Sequence, residues 1–325
     1  MAFSSICSGE KILQELPCHL LLQVNFFHTL WRRAKNLSIF FNESERAFAD
    51  SIKDICGDCY FFVRSLIGFD ASKNIRVYVL ASWHMLLKHS MPRARLILVL
   101  ILWVQFLFLI YYSQYGYVYL GDYLFLLGFL MIALVIDVLR ARAGWNISAG
   151  LVQDSGRWYS LIIKPPQTAQ SANREIGRRI WIDSLSQEEY IRLTCCHEMA
   201  HVFTFHLKYP SWFNEGLAML FEEKYLGKQV IRTDTLKTIE DSVSRHISRV
   251  NQVDYCVLLY SRAYWRVRLI ADTQPEILGL LLSSKYTHAG FKKLIAQEFG
   301  YNVKQFWKHN EFDSLVLRYY SELAS

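Results

Sequence analysis

One short stretch constrains the fold and the chemistry of this chain more than any other. Residues 196–201 read Cys-His-Glu-Met-Ala-His, which places His197 and His201 four positions apart. In an α-helix, residues i and i+4 lie on one face, one turn apart, so two imidazoles at this spacing can bind one metal ion. Glu198 lies beside that face and can act as a base towards a metal-bound water. The stretch therefore predicts a helix that carries a metal site.

The residues around this motif predict that its helix is buried. They are apolar and comprise Leu193, Cys195, Cys196, Met199, Ala200, Val202 and Phe203. Burying two imidazoles and a carboxylate without a partner is costly, and a bound zinc ion would remove that cost. An acidic residue on a second short helix, Glu215, is the expected third ligand. Two imidazoles, one carboxylate and an open fourth position are typical of a catalytic zinc site.

Together with residues 212–218, which read Trp-Phe-Asn-Glu-Gly-Leu-Ala, the motif resembles the gluzincin metallopeptidases. The resemblance is closest to the bacterial group called peptidase MA-like, in which Trp-(Leu/Phe)-x-Glu-Gly-x-Ala follows the first active-site helix after a short connection. Here 13 residues separate His201 from Glu215. The Gly-x-Met-x-Asn motif of aminopeptidases is missing from the sequence, so aminopeptidase activity is not implied.

The resemblance implies an α+β, zincin-like metallopeptidase fold, with a small mixed sheet and active-site helices. It also implies zinc-dependent hydrolysis of peptide bonds in a peptide or protein substrate. Zinc would be held by His197, His201 and Glu215. Glu198 would take a proton from the zinc-bound water and pass it to the leaving amine.

Three further residues are candidates for supporting roles. The family pattern makes Tyr260 the candidate donor to the oxyanion, with Tyr264 in reserve. Glu222 lies two turns after Glu215 on the same helix face. It could anchor the second nitrogen of a histidine, but a solvated helix face is the more common place for such a residue.

The resemblance extends to the predicted sheet. Strands are expected at Leu37–Phe41, Ile75–Leu80, Tyr159–Ile163 and Arg179–Ile182, with a helix from about Ser44 between the first two. The Cys56-x-x-Cys59 pair within that helix follows the spacing of its apolar residues, which favours core thiols over a redox or zinc pair.

Two long apolar stretches lie between residues 96 and 139. Residues 96–112 carry no charge, and residues 117–139 are interrupted only by Asp122 and Asp137. Each stretch is close to the length of about 20 residues that crosses a bilayer. A buried hairpin is the alternative, but a chain of 325 residues has little core in which to hide two uniformly apolar helices. The pattern predicts a transmembrane helical hairpin at 96–140, inserted in the peptidase fold.

Basic residues outside this hairpin predict its orientation. They are Lys88, Arg93 and Arg95 before it and Arg140 and Arg142 after it, whereas the turn between its helices is uncharged. The positive-inside rule then places both outer ends in the cytoplasm. The expected location is the bacterial inner membrane, with the catalytic domain facing the cytoplasm and the lipid membrane as a partner. The odd number of cysteines fits a reducing compartment.

These elements predict three parts of the chain. Residues 1–36 form an N-terminal amphipathic segment, residues 37–95 and 141–325 form the catalytic domain, and residues 96–140 form the hairpin. The alternative is a separate N-terminal domain, 1–95, with catalysis confined to 145–325. The insertion is favoured because residues 145–196 alone offer few strands for a sheet.

The two other classes of function are a nucleic-acid-binding protein and a non-catalytic scaffold. The charge pattern bears on the first, and the intact motif bears on the second. The net charge of +7 is modest, and no basic stripe with interleaved aromatic residues occurs, so no nucleic-acid partner is predicted. The alternative to a peptidase is a non-catalytic membrane scaffold that retains the peptidase fold. All four groups of the predicted zinc site are present in the sequence, which argues against that alternative.

Overall fold

The computed structural model describes residues 28–29, 37–82, 148–244, 251–283, 286–308 and 311–324, with short runs and single positions between 85 and 146. It is mostly helical (71%) with a small mixed sheet. The predicted N-terminal amphipathic segment, residues 1–36, lies outside the described residues except for residues 28–29, of which only the backbone is described.

Strands from distant parts of the sequence form the sheet. They are β1 (His28–Thr29), β2 (Leu37–Phe41), β3 (Asn74–Val79), β4 (Gly150–Asp154) and β5 (Trp158–Ile163). Their order is β1-β2-β3-β5-β4, with β2, β3 and β5 parallel and with β1 and β4 antiparallel to their neighbours. Because β3 pairs directly with β5, residues before and after the predicted insertion belong to one sheet. The predicted division of the chain into three parts stays a prediction.

Helices account for most of the other described residues. They are α1 (Arg46–Ile67), α2 (Ser171–Ile180), α3 (Gln187–Thr204), α4 (Ser211–Leu226), α5 (Thr235–Ser244), α6 (Gln252–Thr273), α7 (Pro275–Ser283), α8 (His288–Glu298), α9 (Val303–Lys308) and α10 (Glu311–Ala324). Short 3-10 turns occur at Glu43–Glu45, Pro166–Thr168 and Phe205–Leu207. The helix expected from about Ser44 is therefore present as α1, two residues later.

Helix α3 lies at the centre of the core, between α1 and α4. Cys56 and Cys59 of α1 face Cys195 and Cys196 of α3, and all four thiols are free and buried. The Sγ atoms of Cys56 and Cys195 are 3.9 Å apart. The prediction that the Cys-x-x-Cys pair forms part of the core is confirmed, because its spacing follows the buried face of α1.

The predicted fold class is wrong in its transmembrane part. In the described residues, none of the helices combines the length with the apolar character that a membrane span requires. Most positions of the predicted hairpin, residues 96–140, lie outside the described residues. The predicted membrane location and lipid partner stay predictions.

The strand expected at residues 179–182 is also wrong. Residues 179 and 180 end α2, and Trp181 forms only an isolated bridge with Ile231. Ile176 and Ile180 are both buried, as apolar residues four positions apart on a helix should be. The short apolar run of residues 180–182 is equally compatible with a strand and with a helix end, and packing against α6 selects the helix.

Gly216 marks the closest approach between α4 and α6. A Cβ atom at this position would overlap the backbone carbonyl of Ala263. Because backbone atoms cannot move aside without shifting the helix, Gly216→Ala is expected to lower the free energy of unfolding by about 2 kcal/mol or more. Urea unfolding measures this change. Gly279→Ala is the matched control, since a Cβ atom on this exposed helical glycine meets nothing within 4 Å. Equal stability of the two variants would contradict the close approach.

Candidate metal centre and active site

Local sequence signals fix the start of α3, the helix that carries the histidine motif. Ser186 caps the helix: its hydroxyl accepts from the backbone N–H of Glu189, and the Glu189 carboxylate accepts from the backbone N–H of Ser186. Glu188 and Glu189 also place negative charge in the first turn, where the helix dipole favours it. The helix then continues through the motif to Thr204.

A short connection brings the next helix back to the histidines. After the 3-10 turn Phe205–Leu207, Lys208 adopts a left-handed conformation with φ 55°. Pro210, which cannot donate a backbone hydrogen bond, directly precedes α4. Glu215 therefore lies in the second turn of α4, which packs against α3.

The three predicted ligands come together at this junction. The Nε2 atom of His197 is 3.2 Å from Oε2 of Glu215, and the Nε2 atom of His201 is 3.6 Å from Oε1 of the same carboxylate. One ligand atom from each residue lies within 4.8 Å of the other two. Two imidazole nitrogens and one carboxylate oxygen are a donor set that zinc accepts. The residues present therefore fit the predicted zinc ion.

Electrostatics keep the carboxylate of this group ionised. Burial opposes ionisation of Glu215, but the rings of His201 and His197 outweigh it and hold its pKa well below the ordinary value. Burial likewise lowers the pKa of His197, but the charges of Glu222 and Glu215 outweigh it and raise the pKa well above the usual range. The carboxylates of Glu215 and Glu222 therefore favour positive charge at His197. A bound metal cation can supply that charge in place of the proton on the His197 ring.

Glu222 has a different environment from the one expected. Its side chain is only 1% exposed, and its Oε1 atom lies 2.7 Å from Nδ1 of His197. The indole N–H of Trp181 donates to the other carboxylate oxygen at 3.4 Å. A carboxylate on Nδ1 fixes the tautomer and orientation of the ring and leaves Nε2 available to a metal. The expectation of a solvated helix face for Glu222 is wrong.

Glu222→Gln is expected to weaken zinc binding by roughly 10–100-fold, because an amide orients the ring but cannot raise its basicity as a carboxylate does. Competition with a fluorescent zinc chelator measures this affinity. Glu223→Gln is the matched control, since the neighbouring Glu223 binds Arg268 and Tyr264 instead of the histidines. If the Glu222→Gln protein bound zinc with wild-type affinity, Glu222 would have no role in orienting His197.

Glu198 is buried beside the predicted ligands, with 6% of its surface exposed. The first residue of β4, Gly150, packs against it: a Cβ atom on this glycine would lie 2.6 Å from Oε1 of Glu198. Burial raises the pKa of the Glu198 carboxyl, while His197 and His201 oppose that rise. A carboxylate made more basic by its surroundings suits a proton acceptor. The contact with Gly150 could not be found from the sequence, because it depends on the pairing of β4 with β5.

The structure separates the two tyrosine candidates. Tyr260 lines the cavities that contain His197 and Glu198. Burial, together with the charges of Glu215 and Glu198, raises its pKa well above the ordinary value, so its phenol keeps the proton that a donor requires. Tyr264 instead donates to Glu223 and is fully buried. Tyr260 is the better placed of the two to contact a substrate.

Two cavities meet at Glu198. One has a volume of about 50 Å³ and extends among α2, α3 and α4. The other is an open groove of about 250 Å³, which runs along Gly150, Leu151 and Val152 of β4 and past His201 and Glu215. Both include His197, Glu198 and Tyr260 in their walls. A chain bound in this cleft would therefore pass directly over the predicted catalytic groups.

Comparison with protein-family models, with curated proteins and with solved structures finds no match. The resemblance to the peptidase MA-like gluzincins accordingly rests on the motif residues and stays a prediction. The same holds for the roles of His197, Glu198, His201, Glu215 and Tyr260. The ligand atoms of His197, His201 and Glu215 lie within 4.8 Å of one another, and Glu198 and Tyr260 line the adjoining cavities.

Proposed function

We propose that the protein is a zinc-dependent metallopeptidase that hydrolyses peptide bonds. The observation that carries the proposal is the convergence of His197, His201 and Glu215 next to a buried glutamate that does not belong to the ligand set. A structural zinc site normally has four protein ligands, whereas three ligands beside a cleft leave a position open for water. That difference favours catalysis over a structural role.

The chain's own residues supply the steps of the hydrolysis. When bound, zinc would lower the pKa of a coordinated water and polarise the substrate carbonyl. Glu198 would accept the proton of the attacking water and deliver it to the leaving amine. Tyr260, which keeps its proton, would donate a hydrogen bond to the oxyanion that develops on the carbonyl. Glu222 would hold His197 in the orientation that leaves Nε2 free.

The edge of the sheet supports a peptide as the substrate. β4 is the last strand of the sheet, and within the described ranges no strand pairs with its outer edge. An extended peptide can add to such an edge through main-chain hydrogen bonds, which do not depend on its sequence. Because Gly150 begins β4 and packs against Glu198, a peptide added there would lie next to the proposed base.

Metal removal tests the proposal. We expect the purified protein to cleave denatured casein or a quenched fluorescent peptide library. Dialysis against 1,10-phenanthroline should abolish cleavage, and one equivalent of zinc per chain should restore it, because the proposed site holds a single ion. Cleavage that survives complete removal of the metal, as measured by elemental analysis, would contradict the zinc-dependent mechanism.

A further inference from the structure

The buried carboxylate of Glu222 needs a partner for each of its oxygens, because a charge buried without partners is costly. Its Oε1 atom lies 2.7 Å from Nδ1 of His197, which leaves Oε2 to be satisfied elsewhere. The indole N–H of Trp181 donates to Oε2 at 3.4 Å. Within the part of the chain that the structure describes, this indole is the donor that reaches Oε2. Trp181 therefore supplies a hydrogen bond that the position of Glu222 requires.

The indole is itself held by three parts of the fold. Trp181 directly follows α2 and forms a bridge with Ile231, flanked by two backbone hydrogen bonds of 2.9 and 3.0 Å. Tyr190 of α3 packs edge-on against the ring, with the centroids 5.4 Å apart. Gly177 of α2 leaves room for the ring, since a Cβ atom there would lie 3.1 Å from its Cζ3 atom. The indole N–H is therefore directed at Glu222 by contacts that lie outside the predicted ligand group.

We propose that Trp181 is a positioning residue of the zinc site, which acts on zinc affinity through Glu222 and His197. The indole N–H fixes the second oxygen of the Glu222 carboxylate. That carboxylate fixes the His197 ring through Nδ1, so that Nε2 of the ring faces Glu215. The inference rests on the zinc site of the proposed function but not on its hydrolytic step. It makes the residue that ends α2, a helix without any of the predicted ligands, part of the metal site.

Trp181→Phe tests the inference, because it keeps an aromatic ring and removes the N–H donor. Competition with a fluorescent zinc chelator should show zinc binding weakened by at least about fivefold, a smaller loss than the maximum of roughly 10–100-fold for a direct partner of a ligand. Trp265→Phe is the matched control, since the buried indole N–H of Trp265 donates to Oγ1 of Thr235 at 2.8 Å, outside the predicted zinc site. Wild-type zinc affinity in the Trp181→Phe protein would overturn the inference.

A double-mutant cycle separates positioning from a general loss of structure. Glu222→Met removes both hydrogen bonds of the carboxylate, so the indole of Trp181 has nothing left to hold. In that background Trp181→Phe should change the zinc affinity by less than about twofold, because the effects of residues that act through one another are not additive. A loss of the same size in both backgrounds would show that Trp181 acts on zinc binding by another route, and it would overturn the inference.

An isosteric replacement decides the question if the Trp181→Phe protein does not fold. Benzothienylalanine, introduced at position 181 by genetic code expansion, has the shape of tryptophan with sulfur in place of the indole N–H. The resulting protein should unfold at nearly the wild-type temperature but bind zinc at least about fivefold more weakly. Unchanged zinc affinity in this protein would also overturn the inference.

Measuring hydrolysis and zinc affinity on the same proteins separates this inference from the proposed function. If the wild-type protein binds zinc but cleaves no peptide, and Trp181→Phe weakens that binding, the positioning role stands and the hydrolytic function is overturned. If the wild-type protein cleaves peptide and Trp181→Phe leaves the zinc affinity unchanged, the peptidase stands and the positioning role is overturned.

Discussion

Glu198→Gln is expected to reduce peptide hydrolysis by at least about a hundredfold, the usual contribution of a general base. The amide occupies the same space beside Gly150 but cannot accept a proton from water. Zinc content and thermal stability should remain those of the wild type, because Glu198 is not one of the three predicted ligands. Initial rates on a quenched fluorescent peptide, with zinc measured in the same samples, provide the comparison.

The same substitution elsewhere on α3 controls for the loss of a carboxylate. Glu188 lies in the first turn of that helix and pairs with Arg192 at the surface. Glu188→Gln should therefore hydrolyse peptide at nearly the wild-type rate. If Glu198→Gln cleaved peptide as fast as Glu188→Gln, Glu198 would not be the base. A wild-type protein that binds zinc in the predicted site but cleaves nothing would instead support the non-catalytic scaffold.

His201→Ala is expected to remove nearly all zinc from the purified protein and, with it, all hydrolysis. Losing one of three protein ligands leaves one imidazole and one carboxylate, which hold zinc poorly. If the predicted site is correct, elemental analysis after gel filtration should find about one zinc ion per chain in the wild-type protein. The removal of the His201 ring also leaves part of the negative charge of Glu215 uncompensated.

His206→Ala is the control for this loss. His206 lies five residues beyond His201, and its ring contacts Phe69 with the centroids 5.5 Å apart, away from the zinc ligands. This variant should keep its zinc and its activity. Full zinc occupancy in His201→Ala would mean that the ion binds elsewhere in the chain.

Helix periodicity explains why the sequence predicts that His197, His201 and Glu215 lie close together, as they do in the structure. Four-residue spacing on a helix sets the relative positions of His197 and His201 whatever the rest of the fold does. The short connection to α4 then limits where Glu215 can lie. Both constraints are local, so they can be recognised from the sequence of residues 197–215 alone.

The misjudged features depend instead on contacts between distant segments. Seven positions after Glu215, Glu222 shares its helix face, but only the packing of α4 against α3 shows that this face meets His197 rather than water. Gly150 and Glu198 are likewise brought together by the β4–β5 pairing, and α2 was misread from a run too short to distinguish helix from strand. Residues 96–139 are apolar in the sequence, but among the described residues none of the helices is long and apolar enough to cross a membrane.

The most direct test is zinc K-edge X-ray absorption on the zinc-loaded Glu198→Gln protein. The arrangement of His197, His201 and Glu215 predicts a first shell of nitrogen and oxygen at ~2.0–2.2 Å, with the outer-shell scattering of two imidazole rings. Sulfur neighbours at ~2.3 Å would contradict it. They would place the ion among Cys56, Cys59, Cys195 and Cys196 instead, and the proposed catalytic zinc site would then be wrong.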